Sequence, residues 1–251
     1  MSKGRARLEM SQGVSVWLLD APNGFGDADF HAHHAIQITA SLTGALSLTS
    51  AEGTLTAPVL AVAADARHRF EAHGLLAFIF VEPESRLGRG LTERLFSGRD
   101  LAVVESPGFA RHLEPLRAAF DAQPDKGALL EAGRKVAEAL APGIEAPLPD
   151  PRIQRIIDYA ASHLEEPLSL AAASESVHLS PSRLRHLFVE QTGLAFRTYV
   201  LWLRLVRAVT VYSEGKSLTE AAHAAGFSDS AHFSRIFKRT FGLPATTLTR
   251  L

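Results

Sequence analysis

A proline-rich stretch near the middle of the chain limits how the rest of it can fold. Four prolines fall within the eleven residues 141–151. Because proline lacks an amide hydrogen and disfavours helical backbone in the residue before it, no helix can be sustained here. We therefore expect a semi-rigid linker at 142–151. It would separate an N-terminal region, 10–141, from a C-terminal region, 152–251.

Charge and composition narrow the classes of protein that such a chain can represent. Residues 151–251 carry a net charge of +4 and residues 1–150 a net charge of −5, which is typical of a nucleic-acid-binding domain joined to a different domain. The absence of cysteine excludes disulfides, thiol nucleophiles and thiolate metal sites, and it fits a reducing cytosol. With no signal peptide and no apolar run of about 18 residues, we expect a cytoplasmic protein without a membrane partner.

The N-terminal region begins with β-structure and continues with helices. Between residues 14 and 82, turn-forming residues separate short apolar runs at 14–19, 36–42, 46–49, 60–63 and 75–81. Their spacing of roughly ten residues predicts a small antiparallel barrel or sandwich. Helical periodicity follows over 85–97, 108–121 and 126–141. The last two helices could pack on the β-structure or on a second copy of the chain, and a homodimer is expected in the second case.

The C-terminal region is helical throughout and contains an internal repeat. Residues 179–193 can be aligned with residues 227–242 when one extra residue is allowed in the second copy. Phe188 then corresponds to Phe237, and Gly193 to Gly242. Each copy follows a short helical stretch, so the order helix, tight turn, helix occurs twice. The sequence predicts two helix-turn-helix units joined by a stiff helix over 199–212.

The second helix of each unit has a polar outer face. Helical geometry directs Arg185 and Val189 outward in the first copy and Arg235 outward in the second. Arginine suits bidentate contacts with guanine, and valine suits the methyl group of thymine. Lys238, Arg239 and Arg204 are expected to contact phosphates. For either helix taken alone, ordinary solvated surface remains the alternative interpretation.

Residues 152–250 resemble the DNA-binding domain of the AraC/XylS family of transcription regulators. The matching segments are 166–170 (EPLSL), 179–184 (LSPSRL), 192–193 (TG), 204–208 (RLVRA), 225–230 (AGFSDS), 233–239 (FSRIFKR) and 241–242 (FG). The resemblance implies that both recognition helices read adjacent major grooves of double-stranded DNA, about 10 base pairs apart. It also implies RNA polymerase as a partner, and it leaves activation and repression open.

The two lines of reasoning together give a set of DNA-binding residues. This set is Ser182, Arg183, Arg185, His186, Val189, Ser230, Ala231, His232, Ser234, Arg235, Lys238 and Arg239. The first unit departs from the family pattern, because His178 stands where the turn glycine is usual and Ser174 where alanine is usual. A non-glycine residue in a left-handed turn is costly.

The N-terminal region resembles the cupin-like sensor domains found in many regulators of this family. The motif consists of Gly26, His31, His33, Gln37 and Gly44, with His68 at the position of the histidine of the second motif. A His-x-His pair on a strand places both imidazoles on one face, and a third histidine would complete a divalent-metal site. Gln37, however, stands where metal-binding cupins have glutamate. A metal site, a metal-free effector pocket and plain structural histidines all remain open.

Two classes of function follow from these patterns. The first is a DNA-binding regulator whose effector contacts His31, His33, Gln37 and His68, with an unidentified effector and no catalytic residues. The alternative is a metal-dependent cupin enzyme that carries a DNA-binding tail and holds a divalent metal at His31, His33 and His68. Gln37 and the lack of an acid–base constellation favour the regulator.

Overall fold

The computed structural model describes residues 5–11, 13–25, 28–105, 109–122, 127–143 and 148–250. It divides into two compact units. The first comprises Met1–Ala146 together with the C-terminal segment Phe237–Leu251, and the second comprises Pro147–Ile236. The first unit is built on antiparallel strands and the second is helical, so the predicted mixed α+β class is confirmed.

Eight antiparallel strands form the centre of the first unit. They are β1 (Arg5–Ser11), β2 (Val14–Ala21), β3 (Ile36–Ser41), β4 (Ala45–Ser50), β5 (Gly53–Thr56), β6 (Val59–Val62), β7 (Arg69–Val81) and β8 (Leu101–Val103). The main sheet has the order β1-β2-β7-β3-β6-β8. The first half of β7 instead pairs with β4, which also pairs with β5. The apolar runs did not predict β1, β5 or β8, because β1 and β5 bury no side chain and β8 is only three residues long.

Both faces of the central strands are covered. Because side chains alternate along a strand, Val16 and Ile79 point to one face of the sheet, while Trp17 and Phe78 point to the other. The first face packs against α1 (Arg86–Leu95), a 3-10 helix (Phe109–His112), α2 (Glu114–Asp121) and α3 (Ala128–Leu140). The apolar sides of α2 and α3, which could have met a second copy of the chain, are therefore buried on the sheet.

Close packing between α3 and β2 depends on one glycine. A Cβ atom on Gly133 would lie 2.3 Å from Cγ2 of Val16, well inside van der Waals contact. Only a residue without a side chain lets the helix approach the strand this closely.

The second unit contains short helices with clear starting points. They are α4 (Pro151–Ser162), α5 (Leu170–Ser176), α6 (Pro181–Thr192), α7 (Phe196–Ser213), α8 (Leu218–Ala224) and the first turns of α9 (Ser230–Phe241). Helix α10 (Thr247–Arg250) lies in the first unit. Side chains of Asp150, Ser169, Ser180 and Ser217 cap four of these helices. Within the described ranges, no helix combines the length and apolar character needed to cross a membrane.

Candidate nucleic-acid interface and ligand cavity

The two predicted helix-turn-helix units have turns of the same geometry. In the first, the amide of Leu179 donates to the carbonyl of Ser174 at 3.1 Å. In the second, the amide of Phe227 donates to the carbonyl of Ala222 at 2.9 Å. The residue before each of these donors is left-handed, with φ of 53° at His178 and 74° at Gly226. The repeat seen in the sequence is therefore a repeat of structure at the turns.

Helix α6 follows the face pattern that its sequence predicts. Its apolar side is buried, and Phe188 packs edge-on against Phe196 and Tyr199 at centroid distances of 5.4 and 5.3 Å. The opposite side exposes all five residues that were predicted to bind DNA: Ser182, Arg183, Arg185, His186 and Val189. Val189 is 41% exposed, which is high for an apolar side chain and is suited to a contact with a base.

Helix α9 presents a similar polar face. Ala231, Arg235, Lys238 and Arg239 are exposed, and Ser230, His232 and Ser234 are half-buried. The backbone amide of His232 donates to Oδ1 of Asp229 at 2.7 Å. This hydrogen bond is the main reason why the pKa of Asp229 lies below its ordinary value. Lys238 is not free for a phosphate in this structure, because its Nζ lies 3.0 Å from Oδ2 of Asp29.

Arg204 has a different environment from the one the sequence suggested. Its Nε donates to the carbonyl of Leu164 at 3.0 Å, and its Nη2 donates to the carbonyl of Glu166 at 3.1 Å. Partial burial lowers the pKa of its guanidinium. These hydrogen bonds hold the chain after α4, and the predicted phosphate contact would have to use the remaining N–H donors of Arg204.

The His31–His33–His68 cluster is brought together by pairing between distant segments. The backbones of His31 and His68 exchange two hydrogen bonds, of 2.8 and 2.9 Å, in an isolated antiparallel bridge. The three side chains are buried, and one ring nitrogen from each lies within 4.8 Å of the others. The structure thus assembles the three histidines of the cupin-like motif. Gly26 lies outside the described residues.

The hydrogen bonds of the cluster define which ring nitrogens of His31 and His68 carry protons. In all three histidines, Nδ1 lies 2.8 to 3.0 Å from a backbone carbonyl two residues away, on Asp29, Ala35 and Ala66. A carbonyl oxygen only accepts, so Nδ1 of His31 and of His68 donates, and Nε2 of each neutral ring is left as an acceptor. His33 lies between two acceptors, because Oε1 of Gln37 is 2.9 Å from its Nε2 while the amide of Gln37 donates to Thr39, so a neutral His33 ring donates to only one of them.

Burial keeps these imidazoles neutral at neutral pH. It is the largest cause of the lowered pKa values of all three histidines, and neighbouring imidazoles lower the values for His31 and His68 further. The pKa of His31 falls to about 4. Among the described residues, Nε2 of His68 is buried and has no hydrogen-bond partner. It is therefore an acceptor available to a ligand or a metal.

A small aromatic cavity lies on the inner face of the sheet, beside His31 and Gln37. Its volume is about 30 Å³, close to the space of one water molecule. Its walls are formed mainly by Trp17, Phe70, Phe78, Phe80, Phe237 and Phe241. No Asp, Glu, Lys or Arg is found among the described residues that line it. The cavity is therefore suited to an uncharged apolar group.

A second histidine site was not predicted from the sequence. The ring of His34 is buried between Oδ2 of Asp65, at 3.4 Å from Nδ1, and Oε2 of Glu84, at 3.2 Å from Nε2. Burial opposes the charged form of His34, but the two carboxylates outweigh it and raise its pKa to about 9. No local pattern reveals this cluster, because its members lie 31 and 50 positions apart in the chain.

Comparison with known proteins identifies the helical part of the chain. The family described as "Helix-turn-helix domain" matches residues 173–250. The transcriptional activator RhaS of Escherichia fergusonii is 35% identical over 94 residues, 37% of this chain and 34% of that protein. The arabinose operon regulatory protein of Escherichia coli is 31% identical over 107 residues. The C-terminal part of the chain is therefore similar to these AraC-type transcription regulators. The resemblance seen in the sequence is thereby confirmed.

Further comparisons extend beyond this AraC-type domain. The uncharacterized regulator YpdC of Escherichia coli is 30% identical over 122 residues, 48% of this chain and 42% of that protein. The chain thus matches less than half the length of these relatives. ToxT of Vibrio cholerae has a TM-score of 0.59 at 13% identity, covering 97% of this chain and 99% of that one. Another ToxT structure contains a bound unsaturated fatty acid and has a TM-score of 0.58 at 15% identity. ToxT therefore shares the fold.

Proposed function

We propose that this protein is a sequence-specific DNA-binding transcription regulator whose activity is controlled by a small effector. The observation that carries the proposal is the pair of equivalent helix-turn-helix turns, each followed by a helix with an exposed polar face. The AraC-type character of the domain supports the same conclusion. Such a regulator would act in the cytoplasm. Either activation, through contact with RNA polymerase, or repression is compatible with this function.

The DNA-binding residues divide into two roles. Arg185 and Arg235 would read guanine, each through a bidentate contact worth about 1–3 kcal/mol of discrimination. Lys238 and Arg239 would neutralise phosphates and set the affinity for any sequence. Two elements about 10 base pairs apart are then expected in the target site.

The effector would bind in the aromatic cavity, whose walls include His31 and Gln37, while the rings of His33 and His68 lie next to that of His31. The lining is mostly apolar, and His31 and Gln37 supply hydrogen-bonding atoms, which is the usual composition of a small-molecule pocket. ToxT, which shares this fold, has been crystallised with an unsaturated fatty acid. A homodimer could not use the apolar sides of α2 and α3 as its interface, since these sides are buried on the sheet.

Selection of genomic DNA fragments by the full-length protein, at two salt concentrations, tests this function. Enrichment of a bipartite motif is the expected result. The Arg235→Ala variant should lose selectivity at one position of the motif. Arg155→Ala, which removes the same charge from an exposed position on α4, should retain it. Unselective binding that collapses with added salt in the unaltered protein would contradict the proposal, since it would indicate phosphate attraction alone.

A divalent metal at His31, His33 and His68 is the second candidate function of the N-terminal region. Nδ1 of His31 and of His68 donates to a carbonyl, an arrangement that orients Nε2 toward a metal. Gln37 opposes it, because its side chain already engages Nε2 of His33. Elemental analysis of the purified protein decides between the two. Stoichiometric zinc, iron or manganese that is lost in His68→Ala but kept in His73→Ala would favour the metal and reopen the cupin enzyme. Its absence would remove both.

A further inference from the structure

The C-terminal segment contributes two phenylalanines to the aromatic cavity of the first unit. The ring of Phe241 lies 4.8 Å from that of Trp17 and 5.7 Å from that of Phe80. The ring of Phe237 is stacked on Trp17, with centroids 6.4 Å apart and an interplanar angle of 7°. Both are almost completely buried. Both rings form part of the cavity wall.

Polar contacts hold the same segment beside the cavity. The amide of Asp29 donates to the carbonyl of Gly242 at 3.1 Å, and the carboxylate of Asp29 pairs with Lys238 at 3.0 Å. Gly242 has no room for a side chain, because a Cβ atom there would lie 2.5 Å from Nδ1 of His31. The backbone of the segment is therefore fitted against the histidine cluster as well as anchored by charge.

We propose that residues 237–248 are an intramolecular occupant of this cavity, and that an uncharged aromatic effector bearing one hydroxyl group competes with them. This inference rests on the proposed function. It adds the chemical class of the effector and the way in which effector binding changes the affinity for DNA. A cavity that binds benzene measures about 150 Å³, so an aromatic effector cannot enter the remaining 30 Å³ unless Phe241 or Phe237 leaves. Ligand binding and the docked segment are thus mutually exclusive.

The ligand class follows from one buried polar atom in the wall of the cavity. Trp17 lines the cavity, and among the described residues its Nε1 is a buried donor without an acceptor. An unsatisfied buried group is costly, and a ligand that pairs with it recovers that cost. The oxygen of a hydroxyl group can accept from this donor. The uncharged, aromatic lining requires the rest of the ligand to be apolar.

Lys238 links docking of the segment to DNA binding, because Asp29 and a DNA phosphate are alternative partners for its ammonium group. This residue is one of the predicted phosphate contacts, yet in the docked state its ammonium group faces Asp29. An ammonium that is paired with a carboxylate attracts a DNA phosphate less strongly, because the carboxylate offsets its charge. Docking therefore weakens a DNA contact, and release of the segment by an effector strengthens it.

Charge reversal at Asp29 tests the docked state. Asp29→Lys places two cations opposite each other, whereas Asp121→Lys makes the same charge change at an equally exposed carboxylate paired with Arg5. Because exposed ion pairs are weak, we expect Asp29→Lys to bind the selected DNA about two- to fivefold more tightly than Asp121→Lys. Equal affinities of the two variants would overturn the switch.

Hydrogen exchange of the amide at position 29 tests docking and ligand class without DNA. This amide is protected by the carbonyl of Gly242, so its exchange should accelerate in Asp29→Lys but not in Asp121→Lys. Phenol, which matches the Phe241 ring and adds one hydroxyl, should accelerate it at millimolar concentration, while benzoate should not. Unchanged exchange in Asp29→Lys would overturn docking. Equal effects of phenol and benzoate, or no effect of phenol, would overturn the ligand class.

If the unaltered protein shows no DNA selectivity, the proposed function fails. The exchange results still decide whether the segment docks, because they do not involve DNA.

Discussion

His178 and Gly226 occupy equivalent positions in the two helix-turn-helix turns, and both have left-handed backbone angles. Each lies between a carbonyl that accepts across the turn and the amide that donates to it. Glycine adopts this conformation without strain, whereas histidine incurs a cost of about 1–2 kcal/mol. The first unit therefore keeps the family geometry at the expense of stability.

Replacing these two residues should have opposite effects on stability. His178→Gly removes the backbone strain and should raise the free energy of unfolding by about 1 kcal/mol. Gly226→Ala should lower it by more than about 2 kcal/mol, because the new Cβ would lie 2.2 Å from the carbonyl oxygen of Leu164. Urea unfolding monitored by circular dichroism measures both changes. A loss of stability in His178→Gly would show that contacts of the histidine side chain stabilise the fold by more than its left-handed backbone costs.

The contact between Gly133 and Val16 should show strong energetic coupling. Gly133→Ala introduces a methyl group 2.3 Å from Cγ2 of Val16 and should destabilise the protein by about 1–3 kcal/mol. Val16→Ala creates space at the same point. The double variant should therefore lose less unfolding free energy than the two single variants lose in total, and the difference should be at least about 0.5 kcal/mol. Additive losses would mean that α3 moves away from the sheet as a whole.

The His34 cluster should make stability fall at alkaline pH. The folded pKa of His34, about 9, lies above its ordinary value of 6.5, so the folded state binds the proton more tightly. Its stabilising contribution is complete below pH 6.5 and is lost as the pH rises through about 9. We expect a loss of about 2–3 kcal/mol over this range, measured by urea unfolding at each pH. His34→Gln should flatten the profile, whereas His73→Gln, at an exposed position, should leave it unchanged.

Two substitutions on α9 should separate recognition of bases from attraction to phosphates. Arg235→Lys keeps the charge but loses the bidentate fork, so it should reduce discrimination at one base by about 1–3 kcal/mol and leave the salt dependence unchanged. Lys238→Gln should weaken binding to all sequences and reduce the salt slope by about 0.9. Titrations by fluorescence anisotropy at several salt concentrations measure both. A change in base preference in Lys238→Gln would contradict its assignment to a phosphate.

Much of the C-terminal region could be predicted from the sequence because its information is local. The spacing of Phe233 and Ile236 defines the buried side of α9 over a few turns of one helix. The turn between α8 and α9 is likewise determined by residues close together in the chain. The sequence repeat predicted that His178 and Gly226 occupy equivalent positions, and the hydrogen bonds of the two turns confirm it.

Only the tertiary structure shows which residues form the cavity and the side-chain clusters around it. The sequence indicated that His31, His33 and His68 could meet, but only the antiparallel bridge shows how the backbone brings them together. The His34–Glu84 contact and the Lys238–Asp29 ion pair join residues far apart in the chain, and no periodicity marks them. Periodicity reports which side of one element is buried. Which distant side chains then share that buried space depends on the packing of all the elements together.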